Sequence, residues 1–78
     1  MAATRLTALK QKCTSTYEVF AAASTRTQQL LAEVELPISK ELRGSLLNQL
    51  QVEHQAQEQY LAARQELFLF VQEQFRRP

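Results

Sequence analysis

Aspartate and tryptophan are absent from this chain, and glycine, cysteine and histidine occur once each, as Gly44, Cys13 and His54. Without Asp there is no Ser–His–Asp set, and a single glycine cannot build a Gly-rich phosphate loop. One cysteine forms no disulfide within the chain, and a lone thiol points to a reducing compartment or to simple packing. One histidine cannot make a His/Cys metal site with a thiol far along the chain. The di-iron bundle motif needs Glu-x-x-His on paired helices, whereas here Glu53 is adjacent to His54. No stretch approaches the ~20 apolar residues of a membrane span. The formal net charge is +1, so no overall electrostatic argument favours nucleic acid or an anionic membrane. These absences leave no enzyme signature, no cofactor and no metal site to expect.

What the chain does contain is helix former. Ala, Leu, Gln and Glu dominate its 78 residues, and no segment alternates cleanly between turn residues as a strand would. Leu6, Leu9, Cys13, Thr16, Phe20, Ala23, Thr27, Leu30 and Val34 follow one another at alternating spacings of three and four. That spacing places all of them on one seam of a long helix. The seam predicts a first helix over about residues 4–35, weakest at Thr14-Ser15-Thr16 and at Ser24-Thr25-Arg26-Thr27, where short polar and β-branched residues lower propensity. Pro37, the only proline inside the chain, ends it and makes a turn of 36–39. Ser39 is a candidate N-cap and Glu41 suits a first turn. A second helix then runs over about 40–76, or from Ser45 if Gly44 delays it.

So short a connection makes the helices antiparallel neighbours, pairing positions whose numbers sum to about 75. Phe20 then faces Ala56, Cys13 faces Ala63, and Leu6 faces Phe70. Large residues meet small ones, as a close-packed seam requires.

The second helix carries two stripes. Leu42, Leu46, Gln49, Glu53, Ala56, Tyr60, Ala63, Leu67 and Phe70 form one; Leu47, Leu50, His54, Gln57, Leu61, Arg64, Phe68, Val71 and Phe75 form the other. One stripe serves a two-helix contact, and two imply a bundle. Gln49, Glu53, His54, Gln57 and Thr27 are candidates for a buried polar layer, a device that costs stability and fixes register. The fold expected is all-α: an antiparallel hairpin of long, coiled-coil-like helices in a single domain, residues 1–78, pairing into a four-helix bundle as a homodimer.

Function follows from that architecture as an expectation. Leu67-Phe68-Leu69-Phe70-Val71 circles the helix, and with Phe75 offers more apolar surface than one partner helix covers. Leu67, Phe68, Phe70, Val71 and Phe75 are therefore the expected partner-binding residues of a non-enzymatic protein–protein interaction module: an adaptor, an assembly subunit or a small chaperone. The alternative is a small dimeric nucleic-acid-binding regulator. Antiparallel folding brings Arg5, Lys10 and Lys12 towards Arg76 and Arg77 and makes the open end basic. Dimeric RNA-binding hairpins such as the plasmid copy-number regulator Rop share this architecture, an analogy of fold without a sequence match.

Residues 1–17 carry Arg5, Lys10 and Lys12 and no acid, a composition like that of a mitochondrial transit peptide. The heptad crosses the segment without a change of register, which favours an ordinary first half of the long helix and a cytoplasmic location.

Overall fold

The structure, a computed structural model, describes residues 2–76. It consists of helix α1 (Ala2–Ala32) and helix α2 (Lys40–Arg76), packed along their length, with no strand among the described residues. The molecule is a rod of 62 × 16 × 14 Å. Its radius of gyration is 17.8 Å, against about 11.5 Å for a compact domain of this length. A rod of two helices has a line of contact where a compact domain has a centre.

That line follows the heptad. Every one of the nine stripe positions from Leu6 to Val34 is buried or half-buried, and so is every position of the stripe from Leu42 to Phe70. Leu9, Ala56 and Ala63 are the buried apolar residues, with Leu9 at 2% and Ala63 at 0% exposure. The alanines let α1 approach closely, so a few small residues fix the spacing of the helices. The register lies close to the expected pairing: Lys12 meets Glu66, Tyr17 meets Tyr60, and Gln49 reaches Ala23.

Threonine is a poor helix former, yet α1 runs unbroken through Thr14-Ser15-Thr16 and Ser24-Thr25-Arg26-Thr27. The hydroxyls of Thr7, Thr14, Thr16 and Thr27 donate to the carbonyls of Ala3, Lys10, Lys12 and Ala23, one turn back. This back-bonding satisfies the hydroxyls on helical carbonyls without breaking the helix, and it lets Thr27 sit at 2% exposure.

The first helix stops at Ala32, short of the Glu35 that the heptad implies. The amides of Glu33 and Val34 donate to the carbonyls of Leu30 and Leu31 at 3.0 and 3.1 Å, a tightened last turn three residues in span. Val34 stays half-buried beyond the helix end, so the apolar pattern outlasts the helix by one position. Pro37 follows a cis peptide from Leu36. Ser39 caps α2: its Oγ accepts from the Leu42 amide at 3.1 Å, and its carbonyl accepts from Arg43 at 3.0 Å. With that cap in place α2 begins at Lys40 and passes through Gly44 rather than starting at Ser45.

No helix of the described residues is long and apolar enough to cross a membrane.

Candidate functional site

The hairpin leaves one face of α2 bare. Successive positions of the second stripe lie about 100° around the helix from the seam, and all nine are exposed. Leu47, Leu61 and Phe68 are 57%, 52% and 59% exposed, and Phe75 is 90% exposed. Single exposed leucines are ordinary, but six large apolar residues in one row along a helix are not.

The expected partner-binding set divides between the two faces. Leu67 and Phe70 are half-buried on the seam, whereas Phe68, Val71 and Phe75 point outward together with Leu69. One apolar ring is thus divided between two surfaces: Leu67 and Phe70 close the hairpin, and Phe68, Leu69 and Val71 are exposed.

The polar layer divides in the same way. Gln49 is buried, and its Nε2 donates to the Ala23 carbonyl at 2.9 Å, beside the hydroxyl of Thr27 that donates to the same oxygen at 3.0 Å. Glu53 is half-buried at the seam's edge. His54 and Gln57 lie on the outer stripe, and His54 Nε2 meets Glu58 Oε1 at 2.9 Å in a solvent-exposed i,i+4 pair. Gln49 is thus the member that bonds across to α1, and buried Thr27 shares its acceptor from within α1.

At mid-rod Tyr60 gathers an aromatic cluster. Its ring lies 5.3 Å from Tyr17, tilted, and 6.1 Å from Phe20, nearly parallel. The Arg64 guanidinium sits 5.6 Å from the Tyr60 centroid. Tyr17 did not stand out in the sequence because it lies one position off the seam; its large ring reaches back to Tyr60. Cys13 is half-buried beside this cluster, in an open hollow also lined by Tyr17, Tyr60, Arg64 and Leu67.

The basic residues do not form one patch. Glu66 Oε1 accepts from Lys12 Nζ at 2.8 Å, and Arg5 stands 4.0 Å from the other carboxylate oxygen. The Lys12 hydrogen bond, then its charge, holds the Glu66 carboxyl below the ordinary carboxylate range. Lys10, about 200° around the helix from Lys12, lies on the opposite flank in a shallow hollow with Thr7, Gln11, Thr14, Ser15 and Glu18. Arg76 ends α2, and Arg77 lies outside the described residues. Glu66 had no weight in the sequence because it adjoins the stripe without belonging to it.

Among the described residues, no group of three or more His, Cys, Asp or Glu side chains is placed to hold a metal ion. No protein-family model matches the chain, and neither does a curated protein or a solved structure. The functional reading therefore stands on the surface of the hairpin itself.

Proposed function

We propose that this chain is a non-enzymatic protein–protein interaction module that acts as an oligomeric helical bundle, in its simplest form a homodimeric four-helix bundle. An adaptor, an assembly subunit or a small chaperone all fit this class. The observation that carries the reading is the uncovered stripe of α2, from Leu47 to Phe75, on a hairpin with three buried apolar side chains. A chain with so little core gains most by burying that face against another chain. The outward half of the apolar ring, Phe68, Val71 and Phe75, supplies the aromatic and aliphatic anchors that dominate interfaces.

The nucleic-acid alternative draws on the same rod but on different residues. Glu66 takes up Lys12 and Arg5, and Lys10 lies on the far flank. A phosphate-binding end would then rest on few cations. A gel shift with mixed RNA and DNA at low and moderate salt separates the two. An interaction module gives no tight shift at either. Tight binding that weakens steeply with salt would overturn the reading, because phosphate contacts are lost by counterion competition and apolar contacts are not.

A further inference from the structure

We infer that the bare stripe of α2 is covered by the same stripe of a second copy, packed antiparallel about a two-fold axis that crosses α2 between Gln57 and Leu61. This rests on the oligomeric reading above and adds the contact helix, the axis and the direction.

Area argues for an occupant of this size. The hairpin exposes 6323 Å², whereas a folded monomer of its mass, 9.0 kDa, exposes about 4,850 Å². The surplus, about 1,500 Å² per chain, exceeds the ~800 Å² per partner that a standard stable interface covers. A second rod of equal length laid along the first can cover such a surplus; a compact partner touching one end cannot.

The pattern of the stripe argues for a two-fold. From the turn outward it reads apolar at Leu47 and Leu50, polar at His54 and Gln57, apolar at Leu61, polar at Arg64, then apolar at Phe68 and Val71. Reversed, these eight positions keep their class at six, the exceptions being Gln57 and Leu61; Phe75 lies beyond them, opposite Arg43 of the second copy. Antiparallel packing about the stated axis sets Leu47 against Val71 of the second copy, Leu50 against Phe68, and Leu61 within a turn of its own twin. An isologous contact of this kind uses one patch twice, and closes after two chains.

Charge argues for the direction. Parallel packing would stack Glu58 on Glu58 and Arg64 on Arg64. Antiparallel packing brings Arg64 of each chain beside the His54–Glu58 pair of the other. Glu58 is 65% exposed while bonded to His54, and its carboxylate can still accept from a guanidinium.

Three single-cysteine variants in a Cys13→Ala background test the arrangement: Leu61→Cys, Leu50→Cys and Phe68→Cys. Each is treated with a short bifunctional maleimide, alone and after co-refolding in pairs, with circular dichroism to establish that it is helical and sedimentation equilibrium to establish its mass. Leu61→Cys should crosslink to itself. Leu50→Cys and Phe68→Cys should each fail alone, since antiparallel packing separates Leu50 from its twin by about 27 Å, and should crosslink to one another when mixed. Arg64→Glu should raise the dissociation constant about tenfold, and adding Glu58→Arg should restore it. Self-crosslinking of Leu50→Cys, or a dimer in which none of the three reacts, overturns the arrangement and leaves the oligomeric reading standing. Crosslinking is read at concentrations where sedimentation shows each variant as a dimer; a folded monomer of the unsubstituted chain overturns both.

Discussion

On the seam face of α2, Gln49, Ala56 and Ala63 are buried; about 100° around the same helix, Leu47, Leu50, Leu61, Phe68, Val71 and Phe75 stand in solvent. The covered stripe mixes its small and polar residues with half-buried Leu42, Leu46, Tyr60, Leu67 and Phe70, five large apolar side chains against six on the outer stripe. What decides which face α1 occupies is fit as well as apolarity. Small residues at Ala56 and Ala63 are buried along the seam with Leu9 of the opposing helix, and Gln49 finds the carbonyl of Ala23. The outer stripe is too bulky for that close approach. It keeps the larger hydrophobic driving force, and α1 leaves it unused.

If the faces differ in this way, truncation on each has a different consequence. Leu9→Ala removes a side chain that is fully covered within one chain, and should cost about 2–5 kcal/mol. In so small a molecule that means loss of helicity at room temperature, read by circular dichroism in a urea titration. A loss below about 1 kcal/mol would mean the seam is not where the stability lies. Phe68→Ala should instead keep its helicity at high protein concentration and shift the mass towards monomer, and Leu69→Ala should do so less. Phe68 lies on the outer stripe and Leu69 beside it, so equal effects from the two would dissolve the distinction between a stripe and a merely sticky end.

The hairpin was legible in the sequence because its signals are local and repeated. Nine consecutive heptad positions name the seam of α1, Pro37 names the turn and Ser39 the cap, and two stripes on the second helix name two faces. The contributions of Glu66 and Tyr17 were not legible. Each sits one position off a stripe, and its role depends on how far its side chain reaches across to Lys12 or Tyr60. The end of α1 at Ala32 was obscured because Val34 continues the apolar spacing after the backbone has left the helix. Periodicity reports which side chains share a face, and reports poorly on backbone hydrogen bonds.

Smaller effects sharpen the comparison away from both stripes. A Cβ built on Gly44 meets nothing within 4 Å, and the residue lies inside α2. Gly44→Ala should therefore stabilise the chain by about 0.5–1 kcal/mol and leave its mass unchanged, as seen by thermal melts and light scattering. A change of mass would place Gly44 in a contact.

The smallest effect is electrostatic. The folded chain holds the Glu66 carboxyl below its ordinary value of 4.5. The stabilisation from its pairing with Lys12 and Arg5 is complete above the ordinary range and is lost as the pH falls through the lowered value. Glu66→Gln should flatten the acid side of the stability profile between about pH 5 and pH 3 at low salt, with little change at neutral pH beyond the loss of one exposed ion pair. An unaltered acid limb would mean the pair contributes nothing to folding.

The claim on which the rest depends is that the outer stripe of α2 is buried against another chain. Sedimentation equilibrium of the purified protein at micromolar concentration tests it most directly. The account predicts twice the 9.0 kDa chain mass, falling towards one chain mass in Phe68→Ala. A helical, cooperatively folded species of one chain mass would contradict it.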